Sequence, residues 1–294
     1  RKRGRGCLSS SCSYIQIMNK KRNYKGNSRG NKGQRGTTPV RNHRSQQKVL
    51  SGDQVEGRQA VRELLIAGTR KTREVFLAGD LDDAPILDDI IDLADEAKVP
   101  IKEISRGRFE SMAKTESPQG VVALAAPLPN YEIEELIDSK ESDSKPFLLI
   151  VDGVTDPGNL GAILRSAECA GITGVILPRH RSARVTPAVT KTAAGAIEHL
   201  RIATASGIPA ALGRLRESGI WLVGLDAGGS TPLYDLKIAD QPIALVLGSE
   251  GRGLSRLARE RCDELVHIPL QGVLSSLNVS TAAAIAVFEV SRHR

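Results

Sequence analysis

The 294-residue chain carries 41 Lys and Arg against 34 Asp and Glu, with 40% hydrophobic residues, the composition of an ordinary folded protein. No window reaches the roughly 18 consecutive apolar residues that a membrane span needs, and even 282–290 is broken by Glu289, so a transmembrane role is excluded. Four cysteines, at positions 7, 12, 169 and 262, form no C-x-x-C pair and are too few for a disulfide framework, which favours a reducing, cytoplasmic setting.

The net charge of +7 is unevenly spread, because residues 1–50 hold 14 Lys and Arg and no Asp or Glu. The remainder has 27 basic and 34 acidic side chains and sums to −7. Apart from a short stretch at 14–18, the first 50 residues lack the apolar content to bury a core, so they are predicted to be a disordered basic tail. Phosphate backbones are the natural partner of such a polycation, through counterion release rather than sequence reading. Met18 followed by Asn19, Lys20, Lys21 and Arg22 would make an ordinary start. Residues 1–17 are accordingly read as upstream translation or an expression remnant rather than as a transit peptide.

Residues 55–67 place Val61, Leu64 and Leu65 at helical spacing, 73–78 reads as a strand, and 86–97 as a second amphipathic helix. A strand at 99–104, a polar helix at 106–114 and an apolar strand at 120–124 complete a small α/β domain over 51–126. Residues 127–145, with Pro129, many acids and a serine-rich end, read as a linker with a helical turn or two. From 146 to 294 the pattern is strongly periodic, with apolar strands predicted at 147–151, 174–177, 220–225, 243–247 and 265–268 separated by helices. That alternation predicts a parallel sheet covered on both faces, whose ligands sit beyond the carboxyl ends of strands. The chemistry is therefore expected in the loops after Val151, Leu247 and Ile268.

In the first loop Asp156 can cap a helix that Pro157 begins, but turn chemistry leaves Asn159 and Arg165 unexplained. The second, running from Gly248 through Ser249, Glu250, Gly251 and Arg252 to Gly253, has G-x-x-G-x-G spacing. It is neither the dinucleotide fingerprint nor a Walker phosphate loop, which removes most support for hydride transfer or nucleotide hydrolysis. The third interleaves Ser275, Ser276 and Asn278 with Leu274 and Leu277 ahead of an apolar helix, and capping needs only one of the three polar residues.

Together the three loops resemble the motifs of the SpoU, or TrmH-like, family of RNA 2'-O-ribose methyltransferases in the SPOUT superfamily. These motifs read D-P-x-N-x-G-x-x-x-R, L-V-x-G-x-E-G-x-G-L and I-P-x-x-G-x-x-x-S-L-N-V-S. The N-terminal module, with Val55 to Val61 and the run from Pro118 to Ala123, is similar to the L30e-like substrate-binding domain that precedes many such enzymes. The two-domain layout resembles the branch that modifies a guanosine of 23S ribosomal RNA.

This resemblance implies an α/β fold with a deep trefoil knot in the C-terminal domain, a homodimer, and methyl transfer from S-adenosyl-L-methionine to a ribose 2'-hydroxyl. It further implies that Leu247, Gly248, Gly253, Ile268 and Leu277 hold the cofactor and that Asn159, Arg165, Glu250, Ser276 and Asn278 are the polar active-site residues. Arg165 would act on the hydroxyl either as base or as electrostatic stabiliser. Arg58, Arg179, Arg181 and Arg184 are placed to meet RNA phosphates. No metal is expected, since His180, His199 and His267 are isolated and read as structural. The competing readings are the same reaction on transfer RNA or on an antibiotic-resistance site of ribosomal RNA, and a non-catalytic RNA-binding assembly factor.

Overall fold

The computed structural model describes residues 50, 53–138, 145–180 and 183–294. The basic tail over 1–49, the proposed start at Met18, Cys7, Cys12 and Arg181 lie outside the described residues. Among those described, no helix is long and apolar enough to cross a membrane.

The first part of the chain forms β1 (Gln54–Glu56), α1 (Arg58–Ala67), β2 (Thr72–Ala78), α2 (Pro85–Glu96), β3 (Ile101–Ile104), α3 (Arg106–Met112) and β4 (Val121–Ala125). Their strands make a mixed sheet of order β1-β4-β2-β3, in which β4 runs antiparallel to both of its neighbours and β2 and β3 are parallel. Val61, Leu64 and Leu65 of α1 and Ile90 of α2 are buried against Val55, Val75 and Val121 on one face. Phe109 of α3 meets Phe76 and Val122 on the other. The helix predicted from residue 55 in fact starts at Arg58. Gln54 to Glu56 pair with β4 instead, and the buried Glu56 carboxylate is held by the backbone N–H groups of Lys114 (2.7 Å) and Thr115 (3.0 Å) and by the Thr115 hydroxyl (2.6 Å).

A short helix, α4 (Ile133–Ile137), follows, with Ile133 and Leu136 buried against the second sheet. Residues 127–138 are thus laid onto the C-terminal half, and Tyr131 bridges to Ala203.

The rest comprises β5 (Phe147–Val151), α5 (Pro157–Cys169), β6 (Gly174–Pro178), α6 (Pro187–Thr192), a 3-10 turn over Ala196–His199, β7 (Ile202–Ala205), α7 (Ile208–Glu217), β8 (Trp221–Leu225), β9 (Thr231–Pro232), β10 (Ile243–Leu247), α8 (Arg256–Arg261), β11 (Glu264–His267) and α9 (Val279–Ser291). All seven strands are parallel, in the order β7-β6-β5-β10-β8-β11-β9. The five predicted strands are present. β7 and the two-residue β9 are additional, and both lie at the sheet's edges. Along β5, Phe147, Leu149 and Val151 face a core shared with α5, α6 and α9. The alternate residues Leu148 and Ile150 face one shared with α4, α7 and α8. Burial on both faces is why these strands read as continuous apolar runs.

Truncating Leu149, fully buried in the central strand, is expected to lower stability by about 2–5 kcal/mol, read from urea unfolding of Leu149→Ala. Burial, reinforced by Asp263, pushes the Cys262 thiol up to about 12. Because the folded state favours the protonated thiol, that contribution is full below the ordinary thiol range and declines as pH rises through 9 toward 12. The alkaline loss of stability should be shallower in Cys262→Ala than in the unmodified chain.

Candidate active site

Parallel strands β5, β10, β8 and β11 all end on the same side of the sheet, and the candidate residues are carried by the segments that leave those ends. After β5, the Asp156 carboxylate accepts from the Asn159 backbone N–H at 2.6 Å and caps α5, with Pro157 in the first turn. This fixes Asn159 one turn into the helix, half-buried. After β10, the chain closes on itself, with Ser249 N–H donating to the Gly253 carbonyl at 3.0 Å and the reverse bond at 2.9 Å. A side chain at Gly248 would land on the Gly253 backbone, so only glycine permits this approach. After β11, Asn278 caps α9, its Oδ1 accepting from the Ser280 N–H (2.8 Å), the Ser280 hydroxyl (2.6 Å) and the Thr281 N–H (3.4 Å). The capping choice left open among Ser275, Ser276 and Asn278 falls to Asn278.

One side chain joins the three segments. The Asn159 amide nitrogen donates to the Glu250 carboxylate, and its carbonyl oxygen accepts from the Asn278 amide at 3.0 Å. Beside this chain of contacts lies a cavity of about 630 Å³, within the size range of small-molecule sites. Leu247, Gly248, Gly253, Ile268 and Leu277 line it, as do Glu250, Ser276 and Asn278. Of the polar residues singled out in the sequence, Asn159, Glu250 and Asn278 are linked directly and Ser276 shares the cavity. Arg165 is separate, since it does not line the cavity and is exposed on α5. Six residues of helix put it about 9 Å along the axis and roughly 120° around from Asn159. Its guanidinium lies near Cys169, where it opposes the burial and the Glu168 contact that raise that thiol.

The cavity also uses residues not anticipated, Leu225, Asp226 and Ala227 at the end of β8. The Asp226 carboxylate accepts from Arg259 at 2.5 Å and from the Gly228 N–H at 2.9 Å, tying this wall to α8. The signal was present in the sequence, because the rule that sites lie beyond strand carboxyl ends covers β8 as well as its neighbours. Leu270, Val273, Leu274 and Leu277, in the loop that forms another wall, are exposed.

Among the residues expected to meet phosphates, Arg179 and Arg184 are exposed. Arg58 has its Nε donating to the Gln119 carbonyl and its backbone N–H to the Gln119 side chain, both at 3.1 Å. It thereby holds the 118–120 turn on α1. His199 pairs with Glu63 at 3.0 Å, while the buried Nδ1 of His267 has no hydrogen-bond partner among the described residues.

Asn278 does two jobs that substitution separates. Asn278→Ala removes the cap and should cost about 1 kcal/mol in urea unfolding. Asn278→Asp retains the capping oxygen but loses the donor to Asn159, so it should unfold nearly as the unmodified chain does while binding cavity ligands more weakly by calorimetry.

Residues 146–288 match the SpoU rRNA Methylase family, and residues 54–131 match the RNA 2'-O ribose methyltransferase substrate binding family. The chain is similar to the 23S rRNA (guanosine-2'-O-)-methyltransferase RlmB of Photobacterium profundum, with 37% identity over 83% of this chain and 99% of that one. It is similar also to the enzyme of the same name from Yersinia pestis, with 40% identity over 82% and 97%. Among solved structures, the SpoU methyltransferase AviRb from Streptomyces viridochromogenes, crystallised with the cofactor AdoMet, superposes with a TM-score of 0.68 at 26% identity, covering 82% of this chain and 89% of that one. The three-loop site, the all-parallel sheet behind it and relatives matched along nearly their full length agree on one assignment: the chain belongs to the SpoU rRNA methylase family.

Proposed function

We propose that this protein transfers a methyl group from S-adenosylmethionine to the ribose 2'-hydroxyl of a guanosine in 23S ribosomal RNA. The observation that carries the reading is the convergence of Asn159, Glu250 and Asn278, from three separate loops, beside one cavity. The RlmB relatives, matched over 97–99% of their length, support the choice of substrate.

The cavity suits the cofactor chemically. Leu225, Leu247, Ile268 and Leu277 offer apolar walls for an adenine, the backbone around Gly248 can approach closely, and the carboxylates of Asp226 and Glu250 suit a ligand bearing positive charge. When bound, S-adenosylmethionine supplies an electrophilic methyl on its sulfonium. Asn159 holds the Glu250 carboxylate in place, and Ser276 and Asn278 offer further polar groups in the cavity lining. A guanidinium keeps its proton under all ordinary conditions. Arg165, which lies outside the cavity, would therefore act as a fixed positive charge that grips an adjacent RNA phosphate and so positions the 2'-hydroxyl.

In this reading residues 51–126 are an L30e-like domain that binds RNA, and residues 146–294 a SPOUT domain closed by a deep trefoil knot. The protein works in the cytoplasm as a homodimer, with the exposed 270–277 loop as part of the covered surface.

Incubation with methyl-labelled S-adenosylmethionine should place label on a guanosine 2'-oxygen of unmodified 23S ribosomal RNA. Label confined to transfer RNA would overturn the substrate, and no label with no cofactor binding would overturn the activity. Arg165→Ala should lose at least roughly 10²-fold in turnover while keeping cofactor affinity, and near-normal methylation by that variant would remove Arg165 from the mechanism.

A further inference from the structure

We propose that the buried ion pair between Arg70 and Glu198 is a positioning device, which fixes the four-stranded, RNA-binding part of the chain on the helices that carry the active site. The inference rests on the methyltransferase reading above and concerns how substrate is presented to that site.

The two residues are 128 positions apart, yet their side chains are 2% and 0% exposed. The contact is bidentate, with Arg70 Nε donating to Glu198 Oε2 at 2.8 Å and Nη2 to Oε1 at 2.6 Å. The remaining nitrogen, Nη1, donates to the Ala126 carbonyl at 2.7 Å. Thr69 adds a hydroxyl bond to the Glu198 carbonyl at 3.3 Å, and Glu63 of α1 meets His199 at 3.0 Å. Gly195, in the left-handed region with φ of +86°, lies so close to Glu63 and Ala60 of α1 that a side chain there would collide with them.

What these contacts hold is close to the chemistry. Glu198 belongs to the 3-10 turn after α6, and both that turn and α6 pack on α5, the helix of Asn159 and Arg165. On the opposite side, α1 begins at Arg58 and is tied to the 118–120 turn. A displacement of α1 relative to the 3-10 turn therefore changes the distance between the surface offered to RNA and the active-site helix.

The ion pair suits this task better than it suits general stabilisation. Two charges taken out of water recover their desolvation cost only in excellent geometry, and an apolar pair of similar volume is often as stable. An apolar contact tolerates sliding, whereas a planar guanidinium fork bonded to both carboxylate oxygens permits one relative orientation. The third bond, to Ala126, fixes the guanidinium with respect to the end of β4 as well.

The test uses the full chain with Arg70→Lys, which keeps the charge and loses the fork, and Glu198→Gln, which keeps the shape and loses the charge. Both should bind S-adenosylmethionine as the unmodified protein does, measured by calorimetry below their unfolding temperatures. Their KM for unmodified 23S ribosomal RNA should rise about tenfold, in line with the cost of misplacing a substrate. Amide hydrogen exchange at 69–70 and 195–199 should accelerate while that of β5 and β10 stays as it was. A lowered unfolding temperature with unchanged RNA KM would assign the pair to stability alone and overturn the proposal, as would unchanged exchange at the junction. If the unmodified protein methylates no RNA, the proposed function fails, and hydrogen exchange still decides whether the pair locks the junction.

Discussion

The side chain of Asn159 sits where three otherwise independent loops must agree. Its amide can donate to a carboxylate and accept from another amide at once, and it does both, toward Glu250 and Asn278. Neither a purely acidic nor a purely basic side chain has both capacities. The placement depends in turn on ordinary devices: a capping aspartate and a proline set the start of α5, a glycine lets the 248–253 turn close, and a capping asparagine starts α9. Each is a local choice made by a few neighbouring residues, and only the parallel sheet brings the results together.

The sheet does this by register. β5, β10 and β8 pair residue for residue, Val151 with Leu247 and Leu247 with Leu225, so their carboxyl ends are level. Loops leaving level ends share a single surface. Burial on both sides, by α5, α6 and α9 on one and α4, α7 and α8 on the other, leaves that end of the sheet as the open place for a cavity.

This accounts for what could be read from the sequence. Long apolar runs such as 147–151 and 243–247 announced themselves because strands covered on both faces tolerate little else. β7 carries Thr204 and lies at one edge, β9 is two residues long and contains Pro232, and so neither has the continuous apolar signature. Val55 and Glu56 were read into the first helix, since their run leads directly into the apolar positions Val61, Leu64 and Leu65. It is the pairing with residues 122–124, remote in sequence, that makes them a strand. The loop residues Asn159 and Glu250 were visible as polar side chains that turn chemistry did not need, and Asn278 as one of three polar residues of which capping needed only one. Asp226 was passed over since a single aspartate after a strand resembles any turn. The bond between Arg70 and Glu198 could not be seen at all, because no local pattern marks two charges 128 residues apart as partners.

The loop carrying Val273 and Leu274 has a further consequence. It supplies one wall of the cavity through Leu270 and Leu277, while Val273 and Leu274 are almost fully exposed. A wall of this kind is supported from the solvent side or hardly at all, so covering the loop and filling the cavity stabilise the same backbone from opposite directions. Any coupling between the two events is reciprocal: if shielding those side chains tightens the grip on a ligand within, the occupied cavity favours the shielded state by an equal amount.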